Sequence, residues 1–331
     1  MLRVFIATVV SSCLVVPALA ARLDAAAINN AEYSAKLSTD SIEPAAIRIQ
    51  VLLDRARFSP GEIDGKFGEN AEKALKAFAE AKGLKPANAL NEDVWKALVA
   101  GNADAAVVEY RIDDSDVKGP FLEKLPKKME DLKRLKAVGY TSPREAIAEK
   151  FHMSEALLEA LNPKKKFDRA GETLLVTNVL TGQPKLTIGR VEVDKSRQTV
   201  KAFGSKGELV GFFPATVGSE EKPTPNGSLK VVSSDANPVY RYNPDYKFKS
   251  VKTKSAFTIK PGPNNPVGSH WIGLSAEGIG IHGTPDPSKV SKSESHGCVR
   301  LTNWDAGLLG TNIRKGTPVV FVDQPQGDRK S

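Results

Sequence analysis

At 331 residues the chain has room for two or three domains, and its 40% hydrophobic and 26% charged content is that of an ordinary soluble globular protein. The formal net charge of +8 is carried late, with 18 Lys/Arg against 12 Asp/Glu in residues 186–324. Such a surface could gather an anionic polymer, although a solvated loop explains it equally well, and the lack of any recognition motif argues against nucleic acid.

Residues 1–20 read as a signal peptide. Arg3 supplies the positive start, Val4 to Val16 the apolar core and Ala18-Leu19-Ala20 a small-x-small cleavage site. No later stretch is long enough to span a bilayer. The alternative is a lipidation site at Val10-Ser11-Ser12-Cys13. Residues 21–45 are rich in Ala, Ser and Asn and predict a tether.

From Ala46 an apolar stripe (Ile47, Val51, Leu52, Leu53, Ala56) predicts a helix that stops before Ser59-Pro60-Gly61. A compact loop, Ile63-Asp64-Gly65-Lys66-Phe67-Gly68, leads to a second helix from a cap at Asn70 to Gly83, and a third starts near Asn91. Residues 102–138 are polar with scattered apolar positions and predict a partly ordered linker. Ser142-Pro143-Arg144-Glu145 has the form of a capping box and opens a helix to Phe151. Ser154 opens another to Leu161, and the β-branched run from Thr173 to Val179 predicts a strand. Residues 186–324 alternate with period two through Val191, Val193, Thr199–Phe203 and Leu209–Phe213. Only 303–313 looks helical there, which argues a mostly β domain.

The chemistry gathers between 282 and 301. Cys298 is one of two cysteines, and removal of the signal peptide would take Cys13 away. A leftover cysteine in an exported chain means an intermolecular disulfide or a reactive thiol. A free thiol titrates near ~8.5 and attacks as thiolate, so it needs an adjacent base. His282 and His296 are the candidates. Gly283 and Gly297 allow backbone N–H groups to approach an oxyanion, and Arg300 offers a planar fork for a carboxylate. One thiol without a paired-ligand spacing gives little support to zinc, and no cofactor is implied.

Ile281-His282-Gly283-Thr284 and Ser295-His296-Gly297-Cys298-Val299-Arg300 resemble the signature of the L,D-transpeptidases with a YkuD-type catalytic domain. With the Thr224-Pro225-Asn226-Gly227 turn, the resemblance spans residues 186–324 and implies a β-sandwich. It also implies Cys298 as nucleophile, His282 as general base and acid, and His296 as an orienting residue. Gly297 would supply an oxyanion N–H, and Arg300, Ser295 and Gly283 would meet substrate. The implied reaction is acyl transfer between peptidoglycan stem peptides through a thioester, in a periplasmic or wall-associated protein. The acceptor is left open: a diaminopimelate amine, water, a free D-amino acid or a lipoprotein. A non-catalytic wall-binding protein is the rival of another class. Residues 46–101 resemble a small peptidoglycan-binding domain, through the Asp64–Gly68 loop and Val94-Trp95-Lys96-Ala97-Leu98. Residues 139–180 resemble a divergent LysM module, an α+β glycan-binding unit, here with a poor first strand. Peptidoglycan is thus the implied partner throughout; the oligomeric state is not implied.

Overall fold

The computed structural model describes residues 23–84, 90–102, 104–180, 182, 184–220, 222–246 and 251–323. The signal-peptide reading, Cys13 included, lies outside these residues. No described helix is long and apolar enough to cross a membrane.

The N-terminal half contains α1 (Ala25–Asn29), α2 (Pro44–Arg55), α3 (Glu69–Ala81) and α4 (Glu92–Ala100). Local chemistry explains their ends. Pro44 at the first turn and Arg55 in the last suit α2, while Asn91 caps α4 by accepting from the Val94 N–H at 2.9 Å. Asn70 does not cap α3. That helix begins one residue earlier, after Gly68, and the Asn70 amide instead donates to the Val290 carbonyl at 3.2 Å. The region read as a tether is folded, because α1 buries Ile28 completely.

Next come β1 (Val107–Arg111), α5 (Asp114–Val117), α6 (Met129–Leu132), α7 (Pro143–Lys150), α8 (Glu155–Leu161) and β2 (Thr173–Thr177). β1 pairs antiparallel with β2, Val107 opposite Thr177 and Arg111 opposite Thr173. The supposed linker 102–138 therefore supplies the strand that residues 139–180 lack. Ser142 caps α7 as expected, accepting from the Glu145 N–H at 3.1 Å, but the Glu145 carboxylate reaches back to the Thr141 N–H at 2.6 Å.

Helix α2 is buried on two faces, which fuses these units. Ala46, Ile49, Leu52 and Leu53 join α3 and α4 in one core, and Ile47 and Val51 join β1, α7, α8 and β2 in another.

The C-terminal half is one eight-stranded sheet with a separate two-stranded hairpin, and not the expected sandwich of two. Its strands are β3 (Arg190–Asp194), β4 (Thr199–Phe203), β5 (Leu209–Pro214), β6 (Gly227–Ala236), β7 (Tyr240–Tyr242), β8 (Phe257–Ile259), β9 (His270–Leu274), β10 (Gly280–His282), β11 (Val299–Arg300) and, after α9 (Asn303–Asn312), β12 (Pro318–Val322). The sheet runs β11-β10-β9-β6-β12-β3-β4-β5, with β7 and β8 a separate hairpin. The long β6 makes the corner: its first residues pair with β12, and after a bulge between Val231 and Ser233 the rest pair with β9. The two ends then meet. Just past β5, Thr216 and Arg300 on β11 exchange N–H···O bonds of 2.8 Å in both directions, so the sheet curls closed around a core that holds residues from both ends.

The halves share a buried junction. β5 sends Phe213 into the β core and Phe212 into the helical core. Phe212 also exchanges backbone hydrogen bonds with Arg57 and Ser59, at 2.9 and 2.8 Å. The Ser59 hydroxyl donates to the buried Asp305 carboxylate at 2.8 Å, and His152 stacks on Trp304 and meets Asp54 at 3.0 Å.

Candidate active site

The site forms where β9, β10 and β11 lie side by side. β10 and β11 are parallel, with Ile281 opposite Val299 and His282 opposite Arg300. Cys298 sits in the bend just before β11, and a backbone hydrogen bond from Gly280 on β10 holds its sulfur beside that strand. β9 adds Trp271 directly opposite His282. Cys298, His282, Arg300 and Trp271 all line one cavity of about 910 Å³.

Each group has a definable state. The Cys298 thiol is half-buried and donates to the Gly278 carbonyl at 3.4 Å. Burial pushes its pKa up, against smaller opposing pulls from a Gly280 backbone hydrogen bond and the Arg300 charge. His282 is 4% exposed, and its Nδ1 lies 2.6 Å from the Gly283 carbonyl. A carbonyl can only accept, so Nδ1 carries the proton and Nε2 keeps its lone pair. Burial, helped by Arg300, holds His282 down at about 3. The resting pair is therefore a neutral thiol and a neutral imidazole, with the base form ready at every physiological pH.

Trp271 covers the imidazole, and Gly280 makes this possible. A Cβ on Gly280 would lie 2.5 Å from the indole ring. Neither residue was marked by the sequence motifs. For Trp271 the signal was its place next to His270 on a strand: neighbours on a strand face opposite sides, and His270 turns to Ser234, 3.0 Å from its Oγ.

The remaining expected residues sort by what they touch. His296 is exposed on the cavity wall. Ser295 is buried, and its hydroxyl donates to the Cys298 carbonyl at 2.5 Å while accepting the Gly297 N–H at 3.3 Å. Ser295 thus braces the turn before the thiol. Gly297 has φ +106°, a backbone that suits glycine, which explains its place in the motif. Gly283 is not on the cavity. A Cβ there would lie 2.2 Å from Asn303 Oδ1, so its missing side chain makes room for α9 and not for substrate. Among the described residues, Arg300 holds a buried Nε with no hydrogen-bond partner.

One wall comes from outside the β domain. Met129 on α6 lines the cavity, while Leu132 and Val138 pack on Ile259 of the β7–β8 hairpin, and Val138 bonds the backbone of Pro261 and Asn264 at 3.0 Å each. No local pattern in residues 120–138 signals this contribution, since only their three-dimensional path creates it.

With this geometry, comparison with known proteins is informative. Residues 188–321 match the L,D-transpeptidase catalytic domain, YkuD. A protein of Bacillus subtilis (strain 168) named as an L,D-transpeptidase, YqjB, is 30% identical over 151 residues, covering 44% of this chain and 75% of that protein. The chain belongs to the L,D-transpeptidase family. The YkuD protein of Bacillus licheniformis, also named an L,D-transpeptidase, is 27% identical over 180 residues, 54% of this chain and 92% of the other. Residues 43–98 match a peptidoglycan binding domain, so the N-terminal helical unit has a family of its own. Among solved structures, L,D-transpeptidase 3 from Mycobacterium tuberculosis aligns with 47% of this chain and 72% of that one, at 19% identity and a TM-score of 0.34.

Proposed function

We propose that the protein is a peptidoglycan L,D-transpeptidase that works through a Cys298 thioester. The observation that carries this is that Cys298, at the start of β11, and a neutral, Nε2-basic His282 on β10 line the same cavity of about 910 Å³. Cys298 attacks the carbonyl on the L-centre side of diaminopimelate in a tetrapeptide stem. As the S–C bond forms, His282 takes the thiol proton, so no free thiolate has to accumulate. The tetrahedral intermediate then expels D-alanine: the C–N bond breaks and His282 protonates the leaving amine. An amine from a second stem attacks the thioester, forming a new C–N bond and releasing sulfur, which recovers its proton through His282.

The neighbours are read in the same way. The Gly297 N–H, held only weakly by Ser295, and the Cys298 N–H serve the oxyanion. The unpartnered Arg300 Nε serves a substrate carboxylate, and His296 orients the mouth of the cavity. The N-terminal domain holds peptidoglycan, and the β1-α7-α8-β2 unit, with its strand completed by Val107–Arg111, adds a LysM-like glycan surface. A signal peptide at residues 1–20 would export the protein to the periplasm or wall.

Intact-protein mass spectrometry with a disaccharide-tetrapeptide tests this, with Cys298→Ala in parallel. The wild type should gain a thioester adduct that resolves to a cross-linked dimer. Resolution to tripeptide alone would make it a carboxypeptidase, and no adduct at all would favour a wall-binding protein without catalysis.

A further inference from the structure

Four adjacent strands place one row of side chains across the cavity floor. Asp235 on β6 is opposite Trp271 on β9, Trp271 is opposite His282 on β10, and His282 is opposite Arg300 on β11. Residues directly opposite one another share a face of the sheet, and all four line the cavity. The row is polar at both ends and ordered by charge: a carboxylate, an indole, an imidazole, a guanidinium. With strands spaced about 4.8 Å apart, Asp235 stands about 10 Å from His282 on the side away from Arg300.

The Asp235 charge reaches His270, where it pulls upward against the larger lowering by burial. Among the described residues its carboxylate makes no hydrogen bond or ion pair, while Arg300 at the far end holds a buried Nε with no acceptor. The two ends of the row are therefore an open anion and an open cation with the acyl-transfer centre between them. A ligand that completes both carries a positive group on one side of the attacked carbonyl and a negative group on the other.

We propose that Asp235 is a specificity residue that binds the free ammonium group on the side chain of the stem peptide's diamino acid. This rests on the transpeptidase reading above and adds to it a residue for which the motif offers no sign. The side chain of such a residue puts its amine several bonds beyond the carbonyl that Cys298 attacks, which suits a carboxylate two strands from His282. Glu277 also lines the cavity, but it sits on the exposed turn between β9 and β10, outside the row. It serves as the comparison.

The test measures single-turnover thioester formation on Cys298 by intact mass, with no acceptor present. Two tetrapeptides are compared, one with the side-chain amine free and one with it acetylated. Iodoacetamide labelling of Cys298 reports separately whether the thiol is intact. The wild type should prefer the free amine, by roughly 10- to 100-fold in rate at limiting substrate, as for a hydrogen bond between charged partners. Asp235→Asn should bring that preference close to one, and Glu277→Gln should keep it. A wild type without preference, an Asp235→Asn protein that keeps it, or a Glu277→Gln protein that loses it in place of Asp235→Asn would each overturn the assignment. If neither peptide acylates a wild type whose thiol still takes iodoacetamide, the transpeptidase reading itself falls, and this assignment with it.

Discussion

The indole of Trp271 lies nearly flat over the imidazole of His282, with ring centroids 5.6 Å apart and planes inclined by 18°. The contact does more than fill space. It adds to the burial that holds His282 at about 3 and so keeps the imidazole neutral.

Trp271→Ala should let water reach the ring and raise the His282 pKa toward the usual ~6.5. Below that value the base form is then lost to protonation. Acylation by the variant should fall roughly tenfold between pH 7.5 and 5.5 beyond any fall in the wild type, which keeps its base form over this range. Parallel pH–rate profiles would show that the indole does not set the pKa.

Gly280→Ala places a methyl 2.5 Å from the Trp271 ring. Overpacking of this kind costs about 1–3 kcal/mol, and acylation should drop as the indole is displaced. Combined with Trp271→Ala, the cost should be well below the sum of the two single changes, because the clash no longer has a partner. Additive losses in thermal unfolding would place the strain elsewhere.

The raised Cys298 pKa predicts slow alkylation by iodoacetamide at pH 7, climbing with pH past the range of an ordinary thiol without levelling off. A plateau between pH 5 and 8 would mean that a thiolate–imidazolium pair is the resting form.

At the junction, burial and the nearby Asp54 push Asp305 up to about 7. A carboxyl raised in the folded state adds stability that is complete below its unfolded value near ~3.9 and is lost as pH rises through about 7. His152, raised by Asp54 despite its burial, acts with the same sign. The melting temperature should therefore fall from pH 5 to pH 8. Asp305→Asn, which can still accept from Ser59, should reduce that fall by roughly 2–4 °C. An unchanged pH slope in the variant would show that Asp305 is not the group responsible.

The family was legible because its motif is local: His282–Thr284 and Ser295–Arg300 carry the resemblance within a few positions. The helix pattern from 46 to 101 was legible for the same reason, through spacing, although the cap expected at Asn70 falls at Gly68. What escaped depends on partners distant in the chain. Val107–Arg111 becomes a strand because Thr173–Thr177 lies beside it, more than sixty residues on. Ile28 looks like part of a polar leader until the surfaces of α2 and β1 are supplied. Phe212 and Phe213 read as one apolar pair, yet they belong to two different cores. Gly283 is the opposite case: the motif leads one to expect substrate there, and the fold sets Asn303 where a side chain would be.

The shared junction changes what wall binding can accomplish. Phe212 sits among the residues of the peptidoglycan-binding unit, and hydrogen bonds from Asn70 and Lys73 to Val290 and Ser291 tie that unit to the loop that leads toward Cys298. A domain on a leash would only raise the number of stems within reach. One locked at two points holds the thiol at a constant offset from whatever strand it grips. Anchor and thiol then share one frame, set by the Phe212 core on one side and by the bonds to Val290 and Ser291 on the other.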